Sequence, residues 1–240
     1  MKAQMTFARV EIKYLLTRQQ RDQILSAMTA HMKPDEFGKT SIRNIYYDTE
    51  NYRLVRHSIE KPPYKEKLRV RSYGSLSDPS GKVFVELKKK YDGIVYKRRL
   101  SAHWDEVTEW LAGRADSLPD TQIAREIEYF RDHYETLQPA VYLSYDRQAF
   151  YGKDNRDLRI TFDENILART DRTALTFEPH GTPLIRRDQA LMEIKAGGGY
   201  PMWLVKALAE AGARKMSFSK YGTAYEMLIL GNESGGRRYA

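Results

Sequence analysis

The chain contains no cysteine in its 240 residues, which excludes disulfides and thiolate metal sites. It also lacks long apolar runs. No stretch is long enough to cross a bilayer as a helix, and the N-terminus has no signal-peptide core. Histidine is sparse and scattered, as His31, His57, His103, His133 and His180, with no paired metal spacing. Gly197, Gly198 and Gly199 are not followed by the Lys-Ser/Thr of a P-loop and read as a flexible strand exit. Helix-turn-helix, zinc-finger and RNP-type signatures are missing, so nucleic acid is not the expected partner. There is no internal repeat, low-complexity segment or linker. A single domain over residues 1–230 is expected, with a polar, Gly-rich tail over 231–240 expected to be disordered. A soluble, cytoplasmic protein is the default.

Charge is what the chain has instead. Forty Lys and Arg stand against 32 Asp and Glu, for a formal net charge of +8. That balance favours acidic partners such as a phosphate-rich small molecule. The positive charge is spread along the chain, and its densest stretch is Lys65-Glu66-Lys67-Leu68-Arg69-Val70-Arg71. With the period of a strand, Lys65, Lys67, Arg69 and Arg71 share one face, and Glu66, Leu68 and Val70 share the other. Cations two residues apart lie about 7 Å from each other. Each neighbouring pair then repels by roughly 0.6 kcal/mol in bulk water and about 2.4 kcal/mol at an effective dielectric of 20. Such a comb is cheap on a wet face. In a recess it needs a multiply charged anion against it.

Other segments repeat the alternation. Strands are expected over Phe7–Leu16, Ser41–Asp48, Lys82–Tyr91, Ile94–Ser101, Pro139–Tyr151, Leu158–Ile166 and Ala190–Ala196, with Asp171–Phe177 a further candidate. Asp92-Gly93 is a two-residue hairpin signal. Helices are expected from Thr17, with Gln20 completing a capping box, to near Met32 before Pro34, and over Thr49–Ile59, His103–Ala112, Asp120–Thr136, Pro201–Ala211 and Ser219–Leu230. The class is α+β with a mainly antiparallel sheet. Its polar strand faces are unusually ionic: Arg9, Glu11 and Lys13; Glu86 and Lys88; Arg147; Arg159 and Asp163; Glu193 and Lys195. Two arrangements explain this equally well. The sheet lies open with a wet ionic face, or it curls into a barrel whose lumen is charged.

Seven motifs occur in order: R-V-E-I-K-Y (Arg9–Tyr14), K-L-R-V-R (Lys67–Arg71), V-E-L-K-K-K (Val85–Lys90), S-Y-D-R-Q-A-F (Ser144–Phe150), L-R-I-T-F-D (Leu158–Asp163), L-M-E-I-K (Leu191–Lys195) and F-S-K-Y-G (Phe218–Gly222). Each alone is weak, but together the chain resembles the VTC domain, the polyphosphate polymerase domain of the triphosphate tunnel metalloenzymes. The resemblance implies an antiparallel β-barrel tunnel of about eight strands with helices packed outside. It implies transfer of the γ-phosphoryl of ATP to a polyphosphate chain, with Mn²⁺ or Mg²⁺ as cofactor. The phosphate-gripping catalytic set it implies is Lys13, Arg69, Arg71, Lys88, Arg147, Arg159 and Lys220. Arg9, Lys67, Arg98 (or its neighbour in the R-R pair), Tyr145 and Lys195 would bind substrate. Glu193 would be the metal ligand, with Glu11 either a second ligand or the partner of a lysine. The wider superfamily opens with two glutamates and a lysine at alternating positions, and Arg9 stands here in place of the first glutamate. That weakens two-metal hydrolysis and fits a polymerase better. ATP or triphosphate and polyphosphate are the expected partners. The phosphate-sensing domain and membrane complex of the eukaryotic polymerase are not in this chain, which leaves room for a membrane-protein partner. A triphosphatase using the same tunnel, or a domain that only binds polyphosphate, are the alternatives.

Overall fold

A computed structural model describes residues 10–76, 78, 80–115, 118 and 120–231. Arg9 and residues 232–240, most of the expected tail, lie outside the described residues. The chain order is β1 (Val10–Thr17), α1 (Arg18–Met28), β2 (Met32–Asp48), α2 (Arg53–Ile59), β3 (Tyr64–Tyr73), β4 (Lys82–Tyr91), β5 (Ile94–His103), α3 (Trp104–Leu111), α4 (Gln122–His133), β6 (Gln138–Gly152), β7 (Arg159–Arg169), β8 (Thr182–Pro183), β9 (Gln189–Ala196), α5 (Met202–Glu210), β10 (Lys215–Met216) and α6 (Lys220–Tyr225). A π-helical turn, Glu226–Leu230, follows α6.

The expected closed barrel of about eight strands is corrected here. Among the described residues ten strands form an open sheet in the order β10-β1-β9-β7-β6-β2-β3-β4-β5, with β8 on β7. One edge, β10, is only two residues long. The other, β5, carries Lys97, Arg98 and Arg99, and an edge strand so charged discourages a further partner. Two smaller expectations also change. The first helix ends at Met28, not near Met32, and Pro34 lies inside β2, whose exposed first half also contains Gly38 with φ +58°. Residues Asp171–Phe177 form no strand. The carbonyls of Leu175 and Phe177 accept from the Arg43 guanidinium at 3.3 and 3.2 Å instead of joining a ladder.

The described chain clusters into two compact units. One holds the residues up to Thr40, Tyr145–Ile166 and Ile185–Phe218; the other holds Ser41–Ser144, Leu167–Leu184 and the residues from Ser219 on. In the first unit Thr17 and Gln20 form the expected capping box, and the Gln20 amide donates onward to the Ala211 carbonyl at 3.0 Å. Leu16, Ile24, Ile160, Met192, Ile194 and Leu204 are fully or almost fully buried in its core. In the second unit the strict alternation of β3 and β4 turns Leu68, Val70, Val83, Val85 and Leu87 onto α3 and α4, each of these five side chains 0% exposed. Full burial of one such side chain is worth about 1.5–3 kcal/mol, so this face sets the register and fixes which side the cations take. Asp92 and Gly93 have φ of +43° and +84°, as a type I′ hairpin turn requires. No helix among the described residues is long and apolar enough to cross a membrane.

Candidate functional site

In the second unit β3 and β4 pair antiparallel with Lys67 opposite Lys88 and Arg69 opposite Glu86, while β4 and β5 set Glu86 opposite Arg99 and Lys88 opposite Lys97. The face away from the core therefore collects Lys67, Arg69, Arg71, Lys88, Lys97 and Arg99 around one acid. Glu86 is 1% exposed. Arg69 Nε donates to its Oε2 at 2.7 Å, Lys97 Nζ lies 2.6 Å from Oε1, and Arg99 and Arg71 lie at 3.5 and 3.9 Å. Burial opposes the charge of Glu86, but Arg69, Arg71 and Lys97 outweigh it and hold its pKa at about 2. Arg69 also donates to the Tyr46 hydroxyl at 3.1 Å. Burial would raise the Tyr46 pKa, yet Arg69, Lys67 and Arg71 bring it down to about 8. Farther along the comb, desolvation and then Lys90, Lys61 and Lys88 lower the pKa of Lys65. Neighbouring cations contribute to all three shifts, alongside burial.

Neighbouring contacts hold this cluster in place. Arg71 Nε donates to Asn44 Oδ1 at 2.8 Å. Lys67 donates to Ser219 Oγ at 3.2 Å, and Ser219 also accepts from the Gly222 amide to cap α6. Lys220 is the first residue of that helix. Tyr46 stacks on Tyr221 with ring centroids 4.6 Å apart. Tyr221 in turn donates to Asp48 at 2.7 Å, a carboxylate already accepting from the amides of Leu54 and Val55. The F-S-K-Y-G motif is thereby tied to β2 and β3. Of the R-R pair, alternation turns Arg98 to the opposite face, where it donates to Glu126 of α4 at 2.9 Å. Arg99, the other half of the R-R pair, stands on the cationic face in its place.

The first unit holds a second ionic group. In the β1–β9 register Glu11 opposes Lys195 and Lys13 opposes Glu193. Lys195 Nζ is 2.6 Å from Glu193 and 3.8 Å from Glu11, and Lys13 Nζ is 3.4 Å from Glu11 and 3.8 Å from Glu193. Lys13 also donates to the Phe218 carbonyl at 3.0 Å. Arg147 binds Asp163 through two hydrogen bonds of 2.6 and 2.7 Å, with its guanidinium 5.2 Å from the Tyr145 ring centroid. Arg159 sits opposite Lys195 on β7, more exposed, 3.8 Å from Asp35. Asp163 is 0% and Glu193 8% exposed. Charges this deeply buried, like Glu86 and Arg71 in the other unit, do not describe a wet sheet face.

Reading the sequence left out Tyr46, Glu86 and Lys97 as site residues and offered Arg99 only as the alternative to Arg98. Alternation had placed Glu86 on the ionic face, and the antiparallel hairpin places Lys97 and Arg99 beside it. Tyr46 carried no signal of its own. As for metal, no group of three His, Cys, Asp or Glu side chains converges among the described residues. Glu11 and Glu193 share two lysine cations, so positive charge is already favoured between them. A pair of carboxylates fits an ion of the Mg²⁺ type that takes its other ligands from phosphates and water.

Comparison with known proteins places this geometry in context. No curated protein sequence matches the chain. Among solved structures, a proposed adenylate cyclase from Bacillus halodurans is similar at a TM-score of 0.55 and 13% identity, covering 92% of this chain and 97% of its own. Another from Vibrio parahaemolyticus has a TM-score of 0.50 and 13% identity, covering 90% and 96%. At that identity the likeness is one of fold, an antiparallel sheet with packed helices. The model of the VTC domain family matches residues 8–229, the span that contains all seven motifs and both ionic clusters. The chain belongs to the VTC domain family.

Proposed function

We propose that this protein is a metal-dependent polyphosphate polymerase that moves the γ-phosphoryl group of ATP onto a polyphosphate chain. The observation that carries this is the gathering of four cations, Arg69, Arg71, Lys97 and Arg99, within 4 Å of the buried carboxylate Glu86. Phosphoryl transfer needs alignment and charge neutralisation more than covalent help. Arg69, Arg71, Lys88 and Lys97 bind phosphate oxygens, with Arg forks suited to two oxygens at once. Lys67 and Lys220 lie on the same motif network and add charge. Within the first unit Lys13, Arg147, Arg159 and Lys195 offer further cations for phosphate oxygens, and Tyr145 supports Arg147. A terminal phosphate oxygen of the acceptor forms the new P–O bond as the bond from the γ-phosphorus to the β–γ bridging oxygen breaks, and ADP leaves. No side chain acts as nucleophile. Glu193 and Glu11 would hold a Mn²⁺ or Mg²⁺ ion, which supplies charge neutralisation at the transferring group.

The paired carboxylates of Glu11 and Glu193 also favour a second reading, hydrolysis of a triphosphate on the same residues. Incubation with ATP and Mn²⁺ should yield polyphosphate, whereas incubation with tripolyphosphate should release little phosphate. The reverse outcome identifies a triphosphatase, and tight binding without turnover identifies a binding domain. Arg69→Ala and Glu193→Gln should each lower synthesis by about 100-fold or more while leaving the circular dichroism spectrum intact. Full synthesis by Glu193→Gln would remove the metal role.

A further inference from the structure

The opposite face of β3 and β4 carries a feature that the polymerase reading does not use. Glu66 and Lys89 are direct partners across these strands and point away from Lys67 and Arg69. With Arg53 and His57 of α2, Tyr64, and Tyr129, His133 and Tyr134 at the end of α4, they line a cleft of about 360 Å³. That volume falls within the range of roughly 300–1,000 Å³ typical of small-molecule sites.

Three parts of the cleft suggest what it takes. The first is a buried acceptor. Glu66 is 8% exposed and accepts from the hydroxyls of Tyr64 at 2.7 Å and Tyr134 at 2.6 Å. Lys89 Nζ lies 4.0 Å away. A carboxylate has about four lone-pair positions, so it can take one further donor from a ligand. The second is a flat aromatic platform. Tyr129 is 72% exposed and lies nearly parallel to His133, with an interplanar angle of 16°. A ring this exposed, at the mouth of a cleft, offers a face for stacking. The third is positive charge. Arg53 and Lys89 carry two cations against the one carboxylate, and Arg53 is anchored 5.4 Å from the Tyr134 ring centroid. One net charge suits a single phosphate group, not a long polyanion.

We propose that this cleft is a second ligand site, distinct from the cationic face, and that it binds a nucleoside monophosphate whose base bears an amino group. The base stacks on Tyr129 and His133. Its amino group donates to Glu66, and the phosphate pairs with Arg53 and Lys89. The site is independent of whether the protein makes polyphosphate.

The test is calorimetric titration of the full chain with AMP in the presence of saturating tripolyphosphate, which occupies the cationic face. Binding should persist. Tyr129→Ala and Arg53→Ala should each weaken it about tenfold or more, in line with roughly 1–3 kcal/mol for a base–aromatic stack. Purine riboside monophosphate, which lacks the amino group, should bind more weakly than AMP. Tyr129 is exposed, so its replacement tests the site without threatening the fold. The proposal is overturned if AMP does not bind, if tripolyphosphate displaces it, or if it binds Tyr129→Ala as tightly as the parent protein.

Discussion

The two ionic clusters of this protein use similar residues to different ends. Around Glu86, four cations lie within 4 Å of one carboxylate. Across β1 and β9, two lysines lie within the same distance of two glutamates. The first cluster is starved of negative charge and the second is balanced. An excess of cations that stays folded implies that the single acid holds them apart, and that an incoming polyanion can take over part of its work. A balanced set has no such need, but its carboxylates can exchange an ammonium for a metal ion. On the proposed function, phosphate grip and metal binding would fall to different strands.

Removing the acid from the starved cluster should have the largest effect. Glu86→Ala leaves four cations facing one another, and breaking such a buried network costs about 3–5 kcal/mol. Urea denaturation should show that loss, and tripolyphosphate should restore part of it. Glu193→Gln, in the balanced cluster, should cost less and show no comparable rescue. Equal losses in the two variants would erase the contrast.

Acid should reproduce part of this in the unaltered protein. The Glu86 carboxyl titrates near 2 in the fold, against an ordinary value of 4.5. A depressed carboxylate stabilises fully above the unfolded pKa, and its contribution is lost as pH falls through the folded one. Stability should therefore decline between pH 4.5 and 2, by about 3 kcal/mol from this group. Denaturation midpoints measured across that window should fall in the parent and flatten in Glu86→Gln.

Anion affinity is the next measure. Lys97→Ala should weaken metal-free tripolyphosphate binding about tenfold, or about 1.4 kcal/mol, by calorimetry. Lys195→Ala should do less, because its ammonium is already shared by the carboxylates of Glu193 and Glu11. A larger loss from Lys195→Ala would place the grip in the first unit.

The smallest effect concerns Tyr46. Its phenol should ionise near pH 8, seen as an absorbance step at about 295 nm that Tyr46→Phe removes. The folded state loses this proton before the unfolded chain does, near an ordinary value of 10.0. Stability from this group is then present above pH 10, shrinks as pH falls, and is gone below 8. Bound tripolyphosphate should move the step upward by neutralising Arg69 and Lys67. An unmoved step would mean that the anion sits elsewhere.

Much of this was legible from alternation alone. Lys82–Tyr91 is a strand with the expected bounds and faces, Asp92-Gly93 turns it, and Thr17 with Gln20 starts α1. The comb is there because a buried apolar face leaves its cations only one side. What could not be read were partners distant in sequence. Tyr46 looked like any strand tyrosine until β2 paired with β3 and set it opposite Arg69. Arg98 and Arg99 are neighbours on opposite faces of a basic run, and only the register onto β4 decides that Arg99 is the one opposite Glu86.

By itself, then, the sequence determined the periodicities: which residues share a strand face, where hairpins and caps fall, and that the polar faces carry an excess of positive charge. These follow from local geometry, which repeats every two residues in a strand whatever the chain does elsewhere. Only the tertiary structure decided which acid each cation meets, that Glu86 serves four of them while Glu11 and Glu193 share two lysines, and that the strand path stays open. Coulomb energies depend on distances across strands and on exclusion of water, and neither exists until the strands have paired.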